Sequence, residues 1–331
     1  VSELAGGEAR ESRAPKPRPL WQSLLRAAFG VAGVIVVVLL VRSAGKEALT
    51  EALLPTLPWL PALLALDLLR IGADAHATLL VYGERGAALP RARLLRAQLV
   101  ANAVTYLAPA GRTAAEATKA AMLARFTSWP EATAAAAMMQ ALALFGGAVI
   151  SIPCVIAAGT ILGPTDRITL FILAQGLGVF GTGLAVRFAS RSRGLTSFLG
   201  RKIRRVEAGA DEFQRTSAES KLIPLGPLAS VTVGRAFQVA QYAILAHAVG
   251  VDVTLGRALL AQGVNMVALA VGVLVPGQLG ATDGAFALAA DALHTTMPRA
   301  LAIALVAHVL QVIWIVVGTL TPTVWPVREK D

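Results

Sequence analysis

The feature that most constrains this chain is a set of long stretches without one charged residue: Ala27 to Val41, Ala132 to Thr165, Ile168 to Val186, Ala258 to Thr282 and Ala300 to Val327. A hydrocarbon core of about 30 Å takes roughly 20 apolar helical residues to cross. Two more apolar segments carry isolated charges: Leu57 to Tyr82, with Asp67, Arg70 and Asp74, and Leu222 to Val251, with Arg235. The first run reaches spanning length only if it starts near Trp21 with Arg26 at the interface, the long side chain reaching towards water. Only 15% of residues are charged and 56% are hydrophobic, with 30 Lys and Arg against 20 Asp and Glu. A soluble domain devotes about a quarter of its residues to charge, and a disordered basic chain lacks such apolar content. The remaining class is an all-α polytopic membrane protein with basic loops. Cys154 is the one cysteine in the sequence, so neither an internal disulfide nor a cysteine-based metal site is expected.

Two apolar segments are too short to span. Leu94 to Ala108 and Gly111 to Arg125 flank Pro109-Ala110; at 1.5 Å per residue each covers only about 22 Å. A hairpin that enters the membrane and returns to the same side fits them better. The shape recurs at Thr254 to Val275, Pro276 to Gly280 and Ala281 to Thr296. In register, Pro109 aligns with Pro276 and Glu116 with Asp283, each acid following its proline by the same interval. Trp129-Pro130 then matches Met297-Pro298, Gln140 matches His308, and upstream Arg70 matches Arg235. This ordered series is the mark of an internal repeat. With the N-terminus inside, most Lys and Arg fall in cytoplasmic loops, as the positive-inside rule requires. The second unit is then the first inserted upside down, each with two spans, a re-entrant hairpin and a third span. In transporters of that architecture the substrate site lies near the bilayer midplane at the repeat interface.

The expected organisation is a disordered basic tail at 1–20, repeat one at 21–160 with its hairpin at 94–125, repeat two at 166–321 with its hairpin at 254–296, and a tail at 322–331. A cytoplasmic basic segment at 190–221 mixes Leu195, Phe198 and Ile203 with Arg201, Lys202 and Arg204. It reads either as a helix on the anionic inner leaflet or as an ordinary basic loop. Both termini are expected in the cytoplasm of a bacterial-type inner membrane. A signal peptide is a poor reading of the first run, because no small-residue cleavage motif follows it.

The first apex, with its Pro, Arg and Glu, and the second, Pro276-Gly277-Gln278-Leu279-Gly280 with Asp283, resemble the paired signatures of the lysylphosphatidylglycerol synthase transmembrane region, also called the flippase-like domain family. The likeness runs from about residue 21 to residue 321. It implies handling of polar lipids: aminoacylated phosphatidylglycerol, polyprenyl-phosphate-linked sugars or hopanoids. Two departures stand out. Asp283 replaces the family's usual Glu, and the first motif has Ala115 where a Gly more often precedes the acid. With no aminoacyl-transferase domain after Val327, lysyl-lipid synthesis is not expected of this chain.

An intramembrane charge costs at least ~2.5 kcal/mol, so such residues face protein or a water-filled cavity. Arg112 stands beside a helix start, where free N–H groups favour an anion. It is either a phosphate-headgroup ligand or the i,i+4 partner of Glu116, with Lys119 three residues beyond the acid. Asp67, Arg70 and Asp74 share one helical face, as a self-neutralising triad or as part of a site. Arg235 has only Gln238 and Gln241 on its face, so its partner must be a distant carboxylate such as Asp283 or a lipid phosphate. Glu116 and Asp283 either complement helix dipoles or carry a proton or gate the cavity. His308, one turn from Gln311, is a proton shuttle or a packing residue, and His76 and His247 have no repeat mate. Substrate-binding candidates are therefore Arg112, Arg235, Arg70, Gly111, Gly277, Gln278 and Gly280, and coupling candidates are Glu116, Asp283 and His308.

Met138 and Met139 read as packing, and Gly176, Gly178, Gly181 and Gly183 as close helix contact. No HExxH, phosphate-binding glycine loop or Gly-x-Ser-x-Gly occurs, so no metal, cofactor or ATP chemistry is expected. Nucleic acid is not an expected partner, because the basic residues lack a soluble platform. The expected function is a polar-lipid transporter binding a membrane-lipid headgroup. The alternatives are a membrane-embedded enzyme using Glu116, Asp283 and His308, or a scaffold for a lipid-biosynthesis partner.

Overall fold

The computed structural model describes residues 41–192 and 207–325, together with Ile35, Val38 and Leu39. The expected tail at 1–20, residues 326–331 of the tail expected at 322–331, most of the first span and the basic stretch 193–206 lie outside the described residues, whereas 322–324 continue the last helix instead of starting a tail. Within them the chain is helical without strands, and four helices are long and apolar enough to cross a membrane. It is an all-α integral membrane protein.

The helices are α1 (Lys46–Leu53), α2 (Leu60–Tyr82), α3 (Arg91–Leu107), α4 (Gly111–Leu123), α5 (Trp129–Ile161), α6 (Arg167–Arg191), α7 (Glu207–Glu219), α8 (Leu225–Ala248), α9 (Leu255–Val271), α10 (Ala281–Leu288) and α11 (Met297–Val324). Their starts follow local chemistry. Ser128 and Glu131 form a reciprocal capping box on α5, each side chain accepting from the other's backbone N–H, and Pro130 sits in the first turn, where its missing N–H costs nothing. Asp166 accepts from the Ile168 N–H to cap α6, and Thr254 accepts from the Arg257 N–H to cap α9. Between α1 and α2, Pro55 and Pro58 fall in a tighter 3-10 stretch from Leu54 to Trp59.

Hydrophobic side chains such as Ile152, Ile156, Phe171, Leu177 and Phe188 on α5 and α6 face outward, which suits hydrocarbon rather than water. Inside, α2 packs on α8, α5 on α6 and α9, and α11 on α3. The segments expected to form hairpins are pairs of short helices joined by turns, α3–α4 and α9–α10. The second returns differently from the reading above: α10 stops at Leu288, and 289–296 forms successive turns instead of helix. His294 takes φ 52° there, and Leu293 packs into the core before Thr296 leads into α11.

At the helix contacts, small residues set the separation. A Cβ on Gly318 of α11 would lie 2.5 Å from the Leu99 carbonyl oxygen of α3, and one on Gly176 or Gly183 of α6 would press on Ser151 or Phe145 of α5. Gly178 and Gly181 depart from the packing expected of them, since a Cβ on either meets nothing within 4 Å. They lie on the opposite side of the same helix. Arg187 is another departure. It stands just before the basic segment expected at 190–221, yet it is almost fully buried, donating to the carbonyls of Lys221 and Leu222 and to Ser190 and Ser220 Oγ. It fastens the 220–222 connector to the end of α6.

These contacts predict opposite responses to one added methyl. Gly318→Ala overpacks the α3–α11 seam and should lower stability by about 1–3 kcal/mol. Gly181→Ala should leave it unchanged or raise it by up to about 1 kcal/mol through helix propensity. Thermal unfolding of both variants in detergent reads the difference.

Candidate functional site

The charged residues of the apolar helices converge at mid-length. On α2, Arg70 Nε donates to Asp67 Oδ1 at 3.1 Å. Its Nη2 reaches α3, donating to Asn102 Oδ1 at 3.2 Å and to the Tyr106 hydroxyl at 3.5 Å. The second oxygen of Asp67 accepts from Trp314 Nε1 of α11 at 3.1 Å. The triad on α2 is therefore only half internal, because Asp74 turns to the hairpin and takes Arg112 Nη1 at 2.8 Å. Arg112 Nη2 also lies 3.2 Å from Glu116 Oε1, and Lys119 Nζ lies 2.8 Å from Glu116 Oε2. Lys119 then donates to Thr78 Oγ1 on α2 and Gln98 Oε1 on α3, both at 3.1 Å. The i,i+4 pairing of Arg112 with Glu116 is thus present, with Asp74 as a further partner.

Arg235 stands apart. Gly234 beside it brings α8 against the Arg70 backbone and Ala73, and Arg112, Arg70 and Asp74 are its charged neighbours. Among the described residues its one hydrogen bond runs from Nη1 to Gln238 Oε1 at 2.8 Å, and it makes no ion pair. The distant carboxylate suggested by the sequence is not its partner. Asp283 Oδ2 lies 3.0 Å from His308 Nε2 and accepts from the Gly280 N–H at 2.9 Å, while His308 Nδ1 lies 3.2 Å from Gln311 Oε1. Asp283 is wholly buried, and a buried acid takes the nearest donors. Close together therefore stand four cations and three carboxylates, in an Asp67–Arg70 pair, an Asp74–Arg112–Glu116–Lys119 chain and Arg235 with its glutamine. Two coupling candidates, Asp283 and His308, are brought together, while Glu116 belongs to the other group.

The hairpin apices meet. The Ala110 N–H donates to the Val273 carbonyl at 3.1 Å, and Ala110 adopts φ 50° at the turn. Gly111 packs so tightly on the Thr105 carbonyl that no side chain fits, which makes it a structural requirement of the first apex. At the second apex Gly277 and Gly280 take φ 63° and 79°, the left-handed region open to glycine.

Beside the apices lies a cavity of about 70 Å³, lined by Asp67, Tyr106, Gln241, Asn265, Gln278 and Gln311 among others. Gln238 lines it too, and so links it to Arg235. Gln98, Asn102, Tyr106, Asn265 and Trp314 were not singled out from the sequence. A signal existed on α3, where Gln98, Asn102 and Tyr106 recur every four residues on one face. Ala97-Gln98-Leu99-Val100 is also echoed by Ala261-Gln262-Gly263-Val264. No group of three metal-ligating side chains occurs among the described residues.

Apolar helices around a buried ionic cluster and a polar cavity define a polytopic membrane protein with an intramembrane polar site. Residues 24–318 match the model of the lysylphosphatidylglycerol synthase TM region. The chain belongs to that family, a membrane family with a lipid-related function. No curated protein and no solved structure matches it.

The network predicts a strong dependence of stability on Lys119. Removing one partner of a buried ion pair costs about 3–5 kcal/mol, because the other charge stays buried. Lys119→Met should unfold at markedly lower temperature than the parent protein. Lys119→Met combined with Glu116→Gln should recover much of the loss, as read by thermal unfolding in detergent.

Proposed function

We propose that this protein moves a phosphate-bearing polar lipid between the leaflets of a bacterial-type inner membrane, by alternating access of two inverted repeats. The observation that carries this reading is Arg235, a mid-helix cation whose one hydrogen bond among the described residues is to a neutral glutamine. It sits in a cluster with one more cation than carboxylate. An intramembrane charge of this kind is costly unless paired, and a lipid phosphate entering from either leaflet is the counter-ion it lacks. Arg112 and Arg70 are already engaged with carboxylates, so the surplus charge rests on Arg235, which makes the contact.

Several features support the inverted repeat. Two series of elements run in the same order, α2, α3–α4, α5 and then α8, α9–α10, α11. The contacts exchange reciprocally: α5 of the first series packs on α9 of the second, α11 packs on α3, and the equivalent helices α2 and α8 pack on each other. At about 1.5 Å per residue, the 17, 13, 17 and 8 residues of the hairpin arms fall short of a 30 Å core. Tip-to-tip contact through Ala110 and Val273 suits two hairpins that enter from opposite sides. Both termini are then cytoplasmic. Asp283 and His308, which share a contact, couple a proton or gate the cavity, whereas Glu116 braces the cationic site. The reading as an enzyme finds less support, since no hydrogen bond or ion pair joins Glu116 to Asp283 and His308.

Purified protein in proteoliposomes should translocate a fluorescent phosphatidylglycerol across the bilayer, and Arg235→Ala should reduce that rate by about tenfold, the loss of one charge-assisted contact. Undiminished translocation by a folded Arg235→Ala protein would remove Arg235 from the site.

A further inference from the structure

The cavity beside Arg235 bears on what lies beyond the phosphate. Its wall is rich in carboxamides: Gln238, Gln241, Asn265, Gln278 and Gln311. Each carboxamide both donates and accepts, and much of this capacity is unspent within the protein. Asn265 is 95% buried, since its exposure is 5%, yet among the described residues its side chain makes no hydrogen bond. Gln278 likewise uses only its backbone N–H. Gln238 and Gln311 each commit one oxygen, to Arg235 and to His308, leaving their NH2 groups. Gln241 spends its NH2 on the Leu63 carbonyl at 3.4 Å and keeps its oxygen. Buried polar groups are costly without partners, so such a wall is built for a ligand that both donates and accepts.

The same wall is unsuited to a cation. Its one carboxylate, Asp67, has both oxygens engaged, by Arg70 and by Trp314. An ammonium entering the cavity meets no free acid and approaches Arg235. Hydroxyl groups, by contrast, donate and accept at once and carry no charge. The room of about 70 Å³ corresponds to about two waters of liquid volume, which a small polyol would displace.

We propose that this cavity receives an uncharged, hydroxyl-bearing headgroup of the glycerol or inositol type, attached to the phosphate held at Arg235. The inference rests on the phosphate reading above and narrows it. It disfavours aminoacylated lipids, whose headgroups carry ammonium groups. Specificity then comes from hydroxyl recognition by Asn265, Gln278 and Gln241, with the charge recognised separately at Arg235.

Native mass spectrometry of the full chain in detergent, with added lipids of matched acyl chains, tests the two parts separately. Phosphatidylglycerol and phosphatidylmethanol share one phosphodiester charge, and only the former has hydroxyls. Phosphatidylglycerol should bind about tenfold more tightly than phosphatidylmethanol, the discrimination a pair of hydrogen bonds supplies. Lysylphosphatidylglycerol should bind more weakly than phosphatidylglycerol. Asn265→Leu, which breaks no hydrogen bond within the described residues, should bring phosphatidylglycerol down to the level of phosphatidylmethanol without changing the latter. Gln278→Leu, at the apex, should act the same way. Arg235→Gln should weaken both lipids together. Equal binding of the two lipids by the parent protein, or tighter binding of the lysyl lipid, overturns the polyol assignment while leaving the phosphate reading intact. If neither lipid weakens in Arg235→Gln, the phosphate site itself is misplaced and the polyol assignment falls with it.

Discussion

The structure depends on neutralising charge where water is scarce. Seven ionisable side chains gather among the helices, those of α2 and α8 well inside apolar segments and Arg112 at the start of α4, and six of them form ion pairs. These bonds do more than remove a penalty. Arg112 and Lys119 are on α4, Asp74 and Thr78 on α2, and Gln98 on α3, so the network fixes the hairpin against a neighbouring helix. In hydrocarbon the hydrophobic effect gives little force between helices, and close packing and polar contacts hold them instead. The glycine seam at Gly318 supplies the first of these, and the cluster supplies the second.

The two halves handle their matched carboxylates differently. Glu116 is held between two groups that stay positive, Arg112 and Lys119. Asp283 faces His308, whose charge changes near neutral pH in its ordinary form. The two acids thus have different surroundings, one set between two cations and the other against an imidazole. Gln311, bonded to His308, lines the cavity, and so does Gln278 at the apex. A change at Asp283 therefore has a short physical route to the cavity wall, through Gly280 and the second apex.

Much of this was legible in the sequence because membranes impose coarse rules. Three uncharged runs located the long apolar helices α5, α6 and α11, and short segments flanking Pro109 and Pro276 located the paired shorter helices. The isolated charges at 67, 70, 74, 112, 116 and 119 marked the site, since nothing but a partner permits them there. Pairing was less legible. Asp74 could have served Arg70 on its own helix, and only the three-dimensional approach of α4 assigns it to Arg112. Arg235 was seen to lack a local acid, but the neighbour proposed for it, Asp283, belongs to His308. Neutral polar residues were the blind spot. Asn102, Asn265 and Trp314 carry no charge to flag them, although the spacing of Gln98, Asn102 and Tyr106 traces one face of α3. The early end of α10 had no counterpart in the sequence, because an alanine-rich segment through Leu288 into Ala289 and Ala290 has no breaker to announce it.

The central claim is that the surplus positive charge at Arg235 is what a lipid phosphate completes. Its most direct test is to supply that charge internally. Gln238 already holds Arg235, so Gln238→Glu would place a carboxylate where the glutamine oxygen lies. The measurement is the rise in unfolding temperature on adding phosphatidylglycerol, since a ligand of the folded state stabilises it. The account predicts a clear rise for the parent protein, and for Gln238→Glu a higher starting temperature with little or no further rise. An equal lipid-induced rise in the two proteins would contradict it.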